Sequence, residues 1–178
     1  NFRRQTEELL DSPHKLTCFA TDDSILYKPF TEKLQRDAQE LLNYSNVLCY
    51  SLRLGANITH ENYYGGRAVP DVRFDLTGNS LVWVWKPYLG TSFGYPLSVD
   101  MHIFRTAVIK EIVAKATFDT PNSLEGNMSG FAHEVPWDIM GSPKESILFS
   151  NSINRSQNVW LNAAGVNHPV TLEELNAK

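Results

Sequence analysis

Residues 16–23 read LTCFATDD, a short apolar run that ends directly on two acids. The run has the length of a buried strand. It lies between a helical pattern at residues 2–10 (FRRQTEELL) and a second helical pattern that follows Thr31, a typical N-cap. This order of helix, strand, acidic loop and helix predicts an α/β fold.

The rest of the chain alternates in the same way. Residues 47–54 (VLCYSLRL) form a second apolar strand candidate, and residues 74–85 contain a hairpin pattern around Gly78-Asn79. Residues 104–116 form the clearest amphipathic helix pattern. We further predict a strand at residues 146–149 within an otherwise irregular stretch, 126–158, and a final short helix at 171–175. No repeat or linker divides the chain, so we predict a single α/β domain over residues 1–178.

Composition narrows the classes of partner. The 178 residues are 42% hydrophobic and carry a formal net charge of -4, so there is enough apolar material for a core and no basic surface for nucleic acid. No apolar stretch is long enough to span a bilayer, and no signal peptide pattern is present. We therefore expect a cytoplasmic protein without a membrane span in this chain, whose two cysteines, Cys18 and Cys49, are free thiols. Because Asn1 lies at the start of a helix pattern without a start signal, we also expect further chain upstream.

Asp22 and Asp23 are the sharpest local feature. They follow the end of a predicted strand, and ligands of open α/β sheets bind beyond the carboxyl ends of strands. Adjacent carboxylates repel unless a cation or backbone donors compensate them. Mg²⁺ or Mn²⁺, bound by one or two carboxylates and substrate phosphates, is one solution. The other is structural, because Asp-Asp pairs also cap helices and end strands.

Further acids flank the amphipathic helix. Asp100 and His102 lie in a rigid segment before it, and Glu125 follows it in what we predict to be a short turn. A carboxylate at the edge of a cleft can act as a general base. The structural alternatives are a helix cap for Asp100, a local hydrogen bond for His102 and an ordinary surface loop for Glu125.

Aromatic residues are dense between positions 83 and 95. Trp83 and Trp85 share one face of a predicted strand, and Tyr95 follows in the next loop. Such a group forms either part of the core or a wall on which sugars stack. The pattern alone leaves both interpretations open.

Taken in order, these segments resemble a bacterial family of GT-A type glycosyltransferase-like proteins, which use nucleotide sugars. The similarity runs from about residue 15 to the end of the chain. It rests on the strand ending in Asp22-Asp23 and on the segments SLRLGAN (51–57), WVW (83–85), YPLSVDMHIFR (95–105), PNSLE (121–125), 154–157 and 171–176.

The resemblance implies a role for each candidate residue. Asp22 and Asp23 fall where such enzymes bind the divalent cation, Mn²⁺ or Mg²⁺, that bridges the donor diphosphate, although the usual Asp-x-Asp spacing is replaced by Thr21-Asp22-Asp23. Glu125 falls at the position of the catalytic base. Asp100 is the second residue predicted to be catalytic, and it is expected to line the acceptor or donor-sugar pocket. The residues expected to bind substrate are Arg53, Trp83, Trp85, Tyr95 and His102.

Two departures from the family pattern bear on these roles. Met101 stands where a glycine is expected. The family's first nucleotide-binding strands have no counterpart after Asn1, so the resemblance implies an N-terminally truncated, GT-A-like mixed sheet flanked by helices.

The sequence thus predicts a metal-dependent glycosyltransferase that moves a sugar from a nucleotide-diphosphate donor to a glycan or other hydroxyl acceptor. Inverting and retaining outcomes both stay open. The alternative is a non-catalytic sugar-binding or assembly module on the same fold.

Overall fold

The computed structural model describes residues 1–61 and 67–150 of the chain. Four helices and eight strands alternate along these residues. The helices are α1 (Phe2–Leu10), α2 (Glu32–Leu42), α3 (Thr106–Lys115) and α4 (Pro121–Gly130). The strands are β1 (Leu16–Cys18), β2 (Ser24–Leu26), β3 (Val47–Ser51), β4 (Asp75–Thr77), β5 (Ser80–Val84), β6 (His102–Arg105), β7 (Ile139–Pro143) and β8 (Leu148–Ser150).

Six of these strands form one mixed sheet in the order β1-β6-β3-β7-β5-β4, and β2 pairs with β8 in a separate two-stranded sheet. Strands β3 and β7 are parallel, whereas every other neighbouring pair in the six-stranded sheet is antiparallel. A register shift between Val47 and Cys49 marks an irregularity in the β3–β7 ladder.

Helices cover both faces of the six-stranded sheet. On one face, α2 packs through Ala38, Leu41 and Leu42 against a cluster that includes Tyr50 and Ile103. On the other face a larger core joins α1, α3 and α4 to the sheet. Its fully buried members include Leu48, Cys49, Trp83, Trp85, Phe104, Ile109, Leu124 and Met128. The predicted α/β class is confirmed as a mixed sheet flanked by helices, while the GT-A arrangement stays a prediction.

Several predicted elements have the expected positions. Helix α1 spans the predicted residues, and α2 begins after Thr31, whose Oγ1 accepts a hydrogen bond of 3.2 Å from the Leu34 amide. The β4–β5 hairpin turns at Gly78, where a φ of 58° favours glycine. The final helix predicted at residues 171–175, and the segments 154–157 and 171–176, lie outside the described residues.

Three local predictions are wrong in their boundaries or type. The helix predicted from residue 104 begins at Thr106, because Phe104 is a strand residue paired with both Thr17 and Cys49. The segment carrying Glu125 is helix α4 rather than a short turn. Strand β7 lies inside the stretch predicted to be irregular.

Candidate functional site

Most of the candidate residues lie at one end of the strands of the main sheet. Strands β1 and β3 run in the same direction, and each pairs with the antiparallel strand β6, so that Cys18 lies opposite Ile103 and Ser51 opposite His102. The carboxyl ends of β1 and β3 therefore meet the amino end of β6. Three loops leave the sheet there, and they carry Asp22-Asp23, Arg53 and Asp100.

The acidic pair occupies a tight turn between β1 and β2. The amide of Ser24 donates to the carbonyl of Thr21 over 3.2 Å, which closes the turn around Asp22 and Asp23. The hydroxyl of Thr21 lies 3.0 Å from that of Ser24 and donates to Oδ1 of Asp100 over 3.2 Å. Thr21 thus ties the acidic turn to the segment before β6.

Glu125 reaches the same end of the strands from the first half of α4. The helix begins with a capping box between Thr120 and Ser123, with Pro121 at its first position. Oε1 of Glu125 accepts hydrogen bonds from the Ser98 hydroxyl (2.8 Å) and the Val99 amide (3.1 Å). Both donors use the same oxygen, which fixes the carboxyl group in orientation.

The surroundings of Glu125 raise the pKa of its carboxyl group above the ordinary value. Burial is the largest cause, and the negative charge of Asp100 adds to it. The hydrogen bonds from Ser98 and Val99 and the positive charge of Arg53 act in the opposite direction. A net upward shift means that the ionised form of Glu125 is held where its charge is poorly solvated, which increases its affinity for a proton.

His102 lies beneath this group and is fully buried. Its Nδ1 is 3.3 Å from the carbonyl oxygen of Pro96 and 3.8 Å from Sγ of Cys49. Burial, followed by the positive charge of Arg53, lowers the pKa of His102 to about 3, so its imidazole is neutral at physiological pH. His102 is therefore an enclosed, neutral group in the interior of the site.

Met101 joins the three loops through its backbone. Its amide donates to the carbonyl of Phe19 over 2.8 Å, and its carbonyl accepts from the amide of Leu52 over 3.1 Å. Among the described residues it is the one non-glycine residue with a positive φ, at 55°. This left-handed conformation explains why a glycine is expected here, and the two backbone bonds hold it in place.

The aromatic candidates separate into two groups. Trp83 and Trp85 belong to the core, where their indole nitrogens donate to the carbonyls of Phe93 (2.8 Å) and Trp137 (3.0 Å). The structure therefore corrects their predicted role, because buried rings with occupied N–H groups support the core instead of forming a sugar-stacking wall. Tyr95 is partly exposed.

The described residues offer few side chains that could bind a cation. Among residues 1–61 and 67–150, no group of three or more His, Cys, Asp or Glu side chains is arranged to hold a metal ion. Asp23 is half-buried and Asp22 is exposed, in adjacent positions of one turn. These carboxylates fit a hard cation that takes one or two ligands from the protein and the others from phosphate and water, and they do not fit an all-protein metal cage.

The site also contains residues that the sequence patterns did not single out. Thr21 links the acidic turn to Asp100, while Ser98 donates to Glu125 and accepts from the Asp100 amide over 3.1 Å. Ser98 stands two residues before Asp100, a spacing typical of local side-chain to backbone hydrogen bonds. This spacing is the feature of the sequence that could have identified Ser98.

A pocket of about 460 Å³ lies at the opposite end of strands β1 and β6, beside Leu16, Arg105 and Lys110. None of the candidate residues lines it.

Comparison with known proteins adds nothing to this geometry. No protein family, curated protein or solved structure matches the chain. Within the described part of the chain, every helix is too short or too polar to cross a bilayer.

Proposed function

We propose that this chain carries the acceptor side of a glycosyltransferase, which moves a sugar from a nucleotide-diphosphate donor to an acceptor hydroxyl. The observation that carries the proposal is the arrangement of Glu125: a carboxyl group of raised pKa, anchored through one oxygen and next to Asp100 and Arg53. A buried carboxyl group whose pKa is shifted beside specific charged partners is typical of acid–base sites.

In this proposal Glu125 is the general base. Oε1 is occupied by Ser98 and Val99, whereas no described residue bonds to Oε2. Oε2 would accept the proton of the acceptor hydroxyl as the oxygen attacks the anomeric carbon and the sugar–phosphate bond breaks. A single displacement of this kind inverts the anomeric centre, and a double displacement would retain it.

The remaining groups would act on charge and orientation. Asp100 raises the proton affinity of Glu125, and the positive charge of Arg53 acts in the opposite direction. Asp22 and Asp23 would hold the divalent cation, Mn²⁺ or Mg²⁺, which neutralises the departing diphosphate when it is bound.

The test is a transfer assay on the full-length protein with a panel of nucleotide sugars, Mn²⁺ and hydroxyl acceptors. Glu125→Gln keeps an oxygen for Ser98 and Val99 but removes the base, so we expect the rate to fall by about 10²–10⁴-fold. Glu134→Gln is the matched control, since Glu134 is an exposed acid on the loop after α4.

Asp23→Asn tests the cation separately and should abolish Mn²⁺-dependent transfer while leaving the fold intact. Two results would contradict the proposal. One is sugar binding without any transfer or donor hydrolysis, which favours a non-catalytic sugar-binding module. The other is an unchanged rate in Glu125→Gln.

A further inference from the structure

Two buried nitrogen atoms at the site have no hydrogen-bond partner among the described residues. They are Nε of Arg53 and Nε2 of His102. A buried polar atom without a partner costs about 1–3 kcal/mol, so most such atoms in proteins are paired with protein, water or ligand. Two of them in one charge-coupled cluster indicate a group that the described residues do not supply.

The two side chains are close neighbours. His102 pairs with Ser51 across the β3–β6 ladder, and the next backbone bond joins Leu52 to Met101. Arg53 is the next residue after Leu52, in the bend that follows β3, so the register brings its backbone beside the segment that leads into β6. The positive charge of Arg53 also contributes to lowering the pKa of His102.

The hydrogen-bonding sense of each nitrogen is fixed. The carbonyl of Pro96 can only accept, so Nδ1 of His102 carries the proton and donates to it over 3.3 Å. In a neutral imidazole Nε2 is then an acceptor. Nε of Arg53 is always a donor.

We propose that Arg53 and His102 form a subsite for one alcohol hydroxyl of the substrate, whose oxygen accepts from Nε of Arg53 while its proton is donated to Nε2 of His102. The oxygen of a carboxylate, a sulfate or a phosphodiester would face the lone pair of Nε2 without a proton to share. An ammonium group would be repelled by Arg53. The subsite therefore selects a neutral hydroxyl, with water as its occupant in the free protein.

This inference rests on the proposed function where it assigns the hydroxyl to a sugar, and it changes the role expected of Arg53. An arginine near a diphosphate donor is readily taken for a phosphate ligand. Here Nε of Arg53 donates to a hydroxyl next to His102, and the positive charge of Arg53 acts on the carboxyl group of Glu125.

The first experiment is ¹⁵N NMR of the imidazole of His102 in the full-length protein. We expect protonated Nδ1 and unprotonated Nε2 in the free state, and a shift of the Nε2 resonance on adding one of a panel of neutral methyl hexosides. Inorganic sulfate, which has no O–H group at neutral pH, should leave the resonance unchanged at the same concentration. A protonated Nε2, a response to sulfate, or no response to any methyl hexoside overturns the proposal.

The second experiment compares His102→Asn with His102→Gln. Asparagine places its amide near the position of Nδ1 and loses the acceptor at Nε2, whereas glutamine reaches the position of Nε2 with an amide oxygen. We expect binding of the methyl hexoside to weaken roughly tenfold in His102→Asn and to stay within about twofold of the native affinity in His102→Gln. Equal losses in both variants would mean that His102 acts through packing alone and would overturn the subsite.

These readouts do not require turnover. If transfer is never observed but the methyl hexoside still moves the His102 resonance, the catalytic proposal fails and the hydroxyl subsite stands. If transfer occurs without that response, the subsite fails alone.

Discussion

At the scale of single residues, the buried environment that raises the pKa of Glu125 also affects the stability of the protein. A carboxyl group whose pKa is raised by folding binds its proton more tightly in the native than in the unfolded state. Its contribution to stability is therefore lost as pH rises from the ordinary value of 4.5 through the native pKa. Above that range the protein is less stable because it keeps a poorly solvated charge.

Replacing Glu125 by Gln should stabilise the protein at neutral pH even as it removes the proposed base. We expect the urea midpoint of Glu125→Gln to exceed that of the native protein at pH 7 and the difference to shrink towards pH 4, where the native carboxyl is protonated in both states. Urea unfolding at several pH values measures this. A difference that does not depend on pH would mean that protonation of Glu125 does not contribute to the stability of the protein.

Met101 gives a second prediction at this scale, because its φ of 55° is costly for side chains that branch at Cβ. Met101→Ile and Met101→Leu have nearly the same volume, so they lose similar packing. We expect the isoleucine variant to be less stable than the leucine variant by about 1 kcal/mol, as judged by urea unfolding. Equal stabilities would show that the loop relaxes to a negative φ.

At the scale of elements, two glycines have opposite roles. Gly55 follows Arg53 in the loop after β3, and a Cβ placed on it would lie 2.7 Å from the carbonyl carbon of Glu145, nearer than real Cβ atoms approach. Gly126, in α4 next to Glu125, has open space around the same position. The first glycine allows two backbones to meet at the site, whereas the second only weakens its helix.

Gly55→Ala should therefore destabilise the protein by about 2 kcal/mol or more, because backbone has to move. Gly126→Ala should stabilise it by about 0.5–1 kcal/mol through helix propensity. Thermal unfolding of the two variants, measured side by side, checks both signs. Gly55→Ala should also shift the NMR signals of the Arg53 side chain, and native-like signals in that variant would contradict the proposed contact between the loops.

Elements with a strong local signal were predictable from the sequence, and those selected by packing were not. Helix α2 has an N-cap and an apolar stripe, so its start was found at Thr31. Strand β7 contains Gly141, Ser142 and Pro143, which lack a strand pattern, yet it pairs with both β3 and β5. Its Gly141 leaves room for Leu41 of α2, a tertiary reason that no local window contains.

The candidate site follows the same division. Asp100, His102, Arg53 and Glu125 were found as chemical types and do gather at one end of the strands, but their partners came only from the fold. Helix α4 was missed because Gly126, Asn127 and Gly130 are weak helix formers, although Thr120 and Pro121 gave a start signal. The tryptophans were misplaced because alternation along a strand predicts a shared face and does not say whether that face meets the core or a ligand.

At the scale of the whole molecule, the proposed function predicts how the binding of a cation and the binding of a nucleotide depend on each other. The described residues offer the acidic turn at one end of the strands and no group of three or more metal-binding side chains. A cation held by one or two carboxylates keeps most of its water and binds weakly until phosphate oxygens complete its coordination. Cation and nucleoside diphosphate are therefore expected to bind cooperatively, each raising the affinity of the other by the same factor.

Calorimetric titration of the full-length protein with Mn²⁺, with and without a nucleoside diphosphate, measures that factor. We expect a coupling of at least about fivefold in the native protein and its loss in Asp23→Asn. Asp138→Asn is the matched control. Asp138 lies just before β7, which is parallel to β3, so it lies at the end of the sheet opposite the acidic turn. Tight Mn²⁺ binding without nucleotide would require a third protein ligand beyond the acidic turn. Equal coupling in Asp23→Asn would place the cation elsewhere and separate it from the base proposed at Glu125.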